Sequence, residues 1–168
     1  PMMTPTATNE KVTQIGDYVF RSCFIDPFQG SVMAKFAVGN LGFQTAGVIF
    51  DLGNDYSKGL AETFSASFSS LGGQVVASEG YPSGATDFKA QLTKIVQAKP
   101  QAVYIPAYYN DVGLIAKQIR ELGYEGTLLG CDGWDSSELV NIGGDAVNGG
   151  YFTNHYSKDD TRPVVQDI

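Results

Sequence analysis

The stretch Thr45–Gly73, TAGVIFDLGNDYSKGLAETFSASFSSLGG, allows few local structures. An apolar run, Ala46-Gly47-Val48-Ile49-Phe50, breaks at Asp51-Leu52-Gly53-Asn54-Asp55. Beyond the break Leu60, Ala61, Phe64, Phe68 and Leu71 recur at helical spacing until Gly72-Gly73 ends the pattern. Buried strand, loop and amphipathic helix in this order make one unit of a parallel sheet.

The unit repeats along the chain. Tyr18–Phe24 alternates as a strand does, and Asp26-Pro27-Phe28-Gln29 opens a helix, with Asp26 as N-cap and Gln29 reaching back to it. That helix should run to Leu41 and bury Val32, Met33, Phe36 and Ala37. Gln74–Ser78 is a strand, Glu79–Ala85 a loop, and Thr86 caps a helix that turns Phe88, Leu92, Ile95 and Val96 inward. Gln101–Ala107 is a buried strand, and Asn110 begins a helix with Val112, Ile115, Ala116, Ile119 and Leu122 on one face. Thr127–Cys131 is a strand, Asp135-Ser136-Ser137-Glu138 a capping box for a short helix to Ile142, and Gly150–Tyr156 a last strand. Pro1–Gly16 has no period and reads as a loop. Alternating strands and helices predict a flavodoxin-like, doubly wound αβα sandwich with a mostly parallel sheet, its compact part at 21–153.

Composition narrows the partners. A chain of 168 residues with 43% hydrophobic and 17% charged residues builds one globular core. A net charge of −7, with only 11 Lys and Arg, argues against nucleic acid, because phosphate binding needs a basic footprint. No apolar run approaches the ~20 residues that span a bilayer. Cys23 and Cys131 are too far apart for a CxxC motif and read as buried free thiols, with a single disulfide as the alternative. His155 is the only histidine, so no His-based metal cluster is expected. Pairing it with Cys131 as base and nucleophile has no local support. The glycine pairs follow helices instead of opening them, so no cofactor-binding fingerprint is present. Pro1 at the start and an incipient helix at Arg162–Ile168 suggest a piece of a longer protein.

In a parallel sheet every strand-to-helix loop reaches one edge. Those loops carry Tyr56, Tyr108, Asp132 and Trp134, which should therefore converge. Two phenols, a carboxylate and an indole suit a small ligand bearing an ammonium group. Tyrosines at strand ends also pack neighbouring helices, and Asp132 before Gly133 also shapes a turn. Periodicity leaves both readings open.

Several motifs point further: Thr4-Pro5-Thr6-Ala7-Thr8-Asn9, Tyr18-Val19-Phe20-Arg21, Asp26-Pro27-Phe28-Gln29-Gly30, Asp55-Tyr56-Ser57-Lys58-Gly59-Leu60, Asp87-Phe88, Tyr108-Tyr109 and Asp132-Gly133-Trp134-Asp135-Ser136. In this order they resemble the type I periplasmic-binding-protein family, above all the Leu/Ile/Val-type substrate-binding proteins of ABC importers. In that family two α/β lobes joined by three crossovers close on an amino acid. The resemblance implies that 1–17 ends the first lobe, 18–156 forms the second with crossover strands at its ends, and 157–168 begins the return. It also implies a non-enzymatic, periplasmic or extracytoplasmic protein, free or held as a membrane-anchored lipoprotein, whose partners are an amino acid, a membrane permease and the first lobe. No cofactor is implied. Thr6 and Thr8 match positions that hold the ligand carboxylate, Tyr56 and Tyr108 the second-lobe aromatics, and Asp132 the acid that takes the ammonium. A family member with Glu there is one methylene longer, and Trp134 is a further departure that would narrow the side-chain pocket. A lone lobe should bind weakly and self-associate through its uncovered face. The alternative is a ligand-sensing domain of the same fold in a receptor or transcription regulator.

Overall fold

The computed structural model describes residues 1–157 and 159–166. Strand β1 (Met2–Thr4) pairs in parallel with β2 (Val19–Arg21), and a 3-10 turn at Glu10–Gln14 lies between them. Helix α1 (Asp26–Gly39) follows, then β3 (Thr45–Asp51), α2 (Asp55–Ser70), β4 (Gln74–Tyr81), α3 (Lys89–Gln97) and β5 (Ala102–Tyr104). The chain continues through α4 (Tyr109–Glu121), β6 (Thr127–Gly130), α5 (Ser137–Gly143), β7 (Tyr151–Phe152) and α6 (Pro163–Gln166).

The last five strands form one parallel sheet in the order β4-β3-β5-β6-β7. The direction of winding reverses between β3 and β5, the flavodoxin-like arrangement in which ligands lie at the strand ends beside the reversal. Helices α1 and α2 pack together, whereas α3 contacts β3 and β4 and packs on α4, which in turn packs on α5. Both faces of the central strands are covered, so β3, β5 and β6 are almost wholly buried and carry continuous apolar runs.

Aromatic stacking fixes how α2 sits on the sheet. Leu60, Ala61, Phe64 and Phe68, at helical spacing, are all buried. Phe64 stacks on Tyr104 of β5 at 4.2 Å and on Phe68 at 5.4 Å. Across the sheet Phe88 meets Tyr81 edge-on at 4.9 Å. The Asn54 side chain accepts from the Tyr56 amide and starts α2, which places Tyr56 in the first turn at the sheet's carboxyl edge.

Several expectations need correction. Pro1–Gly16 is not all loop, because β1 has β2 as a partner that no local period reveals. Helix α1 begins at Asp26 itself, with Ile25 at the N-cap position and no side-chain cap, and Gln29 does not reach back to Asp26 because tertiary partners hold its carboxamide. Val32 and Leu71 are exposed, since the apolar faces of α1 and α2 are narrower than their sequences suggest. Strand β4 runs through Glu79 and Gly80 to Tyr81, paired along its length with β3. Helix α3 starts at Lys89, whose amide donates to the Asp87 carboxylate, so Thr86 is not its cap. Strand β7 has two residues where seven were expected, and the helix expected at 162–168 is α6, with Asp167 and Ile168 outside the described residues.

Val103 on β5 is fully buried between the helical layers. Val103→Asp places an unpaired carboxylate there, at a cost of several kcal/mol against a total stability of about 5–15 kcal/mol. The variant should lose its cooperative thermal transition in circular dichroism; an unshifted transition would contradict this placement.

Candidate functional site

The carboxyl ends of the strands open into a cavity of about 510 Å³. Thr6, Thr8 and Asn9 from the loop after β1 form one wall, and Tyr56, Tyr108 and Asp132 another. Asn154 and His155, after β7, complete the rim. Five residues singled out from the sequence (Thr6, Thr8, Tyr56, Tyr108 and Asp132) therefore border one hollow.

Trp134 does not. It is 2% exposed, and its indole N–H donates to the Ile105 carbonyl at 2.9 Å. A Cβ on Gly130 would overlap this ring, so the glycine at the end of β6 is what lets the indole turn inward. Trp134 is a core residue under the site floor and, contrary to expectation, does not narrow the pocket.

Asp132 is the centre of the polar groups. Its Oδ1 accepts from the Tyr56 phenol and, at 3.0 Å, from Gln29 Nε2. The Asp132 amide donates back to Gln29 Oε1 at 2.7 Å, and the Thr153 hydroxyl donates to the same oxygen at 2.7 Å. The carboxamide of a buried glutamine on α1 thus clips together the ends of β6 and β7. Gly133 supplies an amide that donates to Tyr56 Oη at 3.1 Å, and a Cβ there would come within 2.8 Å of the Ala107 carbonyl. Tyr56 stacks on Tyr108 with ring centroids 5.1 Å apart. Burial, reinforced by Cys131 and Asp132, raises the Tyr56 phenol far above its usual range, so it serves as a neutral donor. Tyr108 is raised too, again chiefly by burial, and half of it remains exposed to the cavity.

Asp132 Oδ2 stays clear of these donors. Its contact is His155 Nε2 at 3.4 Å, and the imidazole in turn stacks on Phe24 at 4.3 Å. Gln29 and His155 are the site residues that sequence reasoning missed. Local sequence assigns Gln29 to a helix cap and His155 to a strand. The strand-edge rule, applied to β7 as to the other strands, would have led to Thr153–His155.

The two cysteines are free, Cys131 buried and Cys23 partly so. Burial pushes the Cys131 thiol up to about 12, and its sulfur faces Tyr56 Oη and the Ala107 carbonyl. A neutral thiol in this setting is a poor nucleophile. Among the described residues no cluster of His, Cys, Asp and Glu suits a metal ion, and no helix is long and apolar enough to cross a membrane.

Residues 1–168 match the periplasmic binding protein family from end to end. The chain belongs to that family. Proteins with sequences similar to it include Leu/Ile/Val-binding protein homolog 3 of Brucella melitensis biotype 1, 36% identical over 99% of this chain and 45% of the relative. Another is the leucine-, isoleucine-, valine-, threonine- and alanine-binding protein of Pseudomonas aeruginosa, 32% identical over 88% of this chain and 40% of its own length. The crystal structure of a leucine binding protein, LivK, from Thermotoga maritima MSB8 superimposes with a TM-score of 0.93 at 47% identity, covering 99% of this chain and 48% of that one. That of the substrate binding protein LivJ from Streptococcus pneumoniae, in complex with isoleucine, matches with a TM-score of 0.84 at 33% identity over 90% of this chain and 43% of its own. The chain thus spans less than half the length of these relatives.

Behind the Thr6–Asn9 wall, Asp26 is 4% exposed, and its Oδ1 has no hydrogen-bond partner. Burial pushes its carboxyl up to about 6, with Asp132 adding to the rise, while a hydrogen bond from Thr8 and the charge of Arg21 offset part of it. A carboxyl raised in the folded state holds its proton there between about pH 4 and pH 6 but not in the unfolded chain. Stability contributed by Asp26 is therefore full below about pH 4 and falls as pH rises to about 6. Asp26→Asn should melt close to the parent at pH 4 and be more stable by on the order of 2 kcal/mol at pH 7. Parallel stability curves in urea titrations across this range would contradict the assignment.

Proposed function

We propose that the chain is the second lobe of an extracytoplasmic solute-binding protein that captures an aliphatic amino acid for an ABC importer. The observation that carries this reading is the division of labour on Asp132. One oxygen is saturated by Tyr56 and Gln29, which fixes the carboxylate in place. The other faces the cavity rim, where a ligand ammonium would receive a charge-assisted hydrogen bond. The Tyr56–Tyr108 stack gives that ammonium an aromatic wall, and Thr6 together with the backbone of Thr8, whose side chain is turned to Asp26, borders the same cavity and suits the ligand carboxylate. The names of the similar proteins, which include leucine and isoleucine binders, agree with an aliphatic side chain.

Under this proposal 1–17 belongs with the first lobe, 18–156 forms the second, and 157–168 leads back. Lys158, Asp167 and Ile168 of that last segment lie outside the described residues. The first lobe closes over the strand ends and excludes water. Without it Asp132 and its ligand meet in solvent, where one ion pair contributes less than about 1 kcal/mol. Exposed Met2, Met3, Ile15, Tyr18 and Phe20 around β1 and β2 would lie against the first lobe and, in the isolated chain, promote self-association. The permease is the membrane partner, and no catalytic step is assigned to the protein.

Calorimetry should find L-leucine, L-isoleucine or L-valine bound by the full-length protein at roughly micromolar Kd or tighter, and by residues 1–168 only above about millimolar. Asp132→Asn in the full-length protein should weaken binding by about 100-fold while the ligand-free melt stays within a few degrees of the parent. Micromolar binding by 1–168 alone would refute the need for closure, and unchanged affinity in Asp132→Asn would refute the ammonium site.

A further inference from the structure

The oxygen of Asp132 left for the ligand is the one that faces a histidine. Oδ1 is taken by Tyr56 and Gln29, whereas Oδ2 lies 3.4 Å from His155 Nε2. The imidazole is held in this position. Phe24, just beyond β2, stacks against it with rings 16° from parallel. The His155 amide donates to Asn154 Oδ1 at 2.8 Å, and Asn154 Nδ2 donates to Asp135 Oδ2 at 2.8 Å. The ring borders the cavity beside the carboxylate that the proposed function assigns to the ammonium.

We propose that His155 sets the charge selectivity of this site and makes amino-acid capture pH-dependent. Neutral, it leaves Asp132 its full negative charge for the ligand. Protonated, it pairs with Oδ2 and sets a second cation where the ammonium must bind, so the two compete for one oxygen. By linkage, a bound ammonium weakens the hold of His155 on a proton by the same factor. The inference rests on the amino-acid reading of the site.

Among the described residues, few other groups face this corner. Asp132 and Asp135 come from the turn after β6, Tyr56 from α2, and Tyr108 and Tyr109 from the start of α4. Burial keeps the Tyr56 and Tyr108 phenols neutral throughout the acid range. Cys23 and Asp26 sense the Asp132 charge from the side of β2 and α1, where Arg21 partly balances it. Of these, Asp26 has its carboxyl raised to about 6, so its contribution needs separating.

The test uses the full-length protein, titrated with L-leucine and with isocaproate, which is leucine without its amino group, from pH 8 to pH 5. Parent, His155→Gln and Asp26→Asn proteins are compared, and proton release near pH 6.5 is read from two buffers of different ionisation enthalpy. In the parent and in Asp26→Asn, leucine affinity should fall about tenfold toward pH 5 and binding should release protons. In His155→Gln the fall should shrink to about twofold or less and the proton release should vanish. Isocaproate should not weaken toward acid in the parent. A pH slope and proton release that survive in His155→Gln, or that disappear in Asp26→Asn, would overturn the proposal. So would a flat leucine profile in the parent, while absence of leucine binding even at pH 8 would remove the amino-acid reading beneath it as well.

Discussion

A single glutamine carboxamide ties the site to the fold. Gln29 sits in the first turn of α1, yet its side chain spans to Asp132 after β6 and to Thr153 after β7, both far away in sequence. Buried, with its donor and its acceptor both used, it holds two strand ends at a fixed spacing and orients the Asp132 carboxylate. Tyr56 then completes the hold on the same oxygen from α2. Four elements of the sandwich are joined by side chains at the one edge where the parallel strands all terminate. With Oδ1 held in this way, the other Asp132 oxygen, Oδ2, is turned toward the cavity rim.

That edge exists because of the order of winding. Strands β3 and β5 lie side by side but lead to helices on opposite faces, so the loops after them part and leave a hollow bordered by the stacked rings of Tyr56 and Tyr108. The deep core sustains this geometry without charge pairs. Phe64 stacks on Tyr104 beneath the site, and ion pairs such as Lys11 with Asp55 or Lys89 with Glu121 lie at exposed positions where they contribute little. A polar cluster on a rigid apolar base is suited to binding, because little ordering is left to be done when a ligand arrives.

The parts legible in the sequence were those in which local period and tertiary burial agree. Phe64, Phe68, Leu92 and Ile115 are buried where helical spacing put them, and the strand–helix alternation led to the flavodoxin-like sheet. The convergence of Tyr56, Tyr108 and Asp132 followed from sheet topology, with no need for side-chain detail. What escaped was non-local. Gln29 reads as a helix cap unless its distant partners are known, and β1 is a strand only because β2 lies beside it. Trp134 reads as a pocket wall because nothing in the sequence shows that Gly130 has made room for its ring on the core side. His155 escaped because β7 is two residues long, so a strand reading extended past the point where the chain turns into the site.

The most direct test of this account is a crystal structure of the full-length protein with bound L-isoleucine. The account requires the ligand nitrogen within hydrogen-bond distance of Asp132 Oδ2, with Tyr56 and Gln29 still on Oδ1 and the ligand carboxylate toward Thr6 and Thr8. A ligand bound in the reverse direction, or one whose nitrogen has no contact with Asp132, would contradict it.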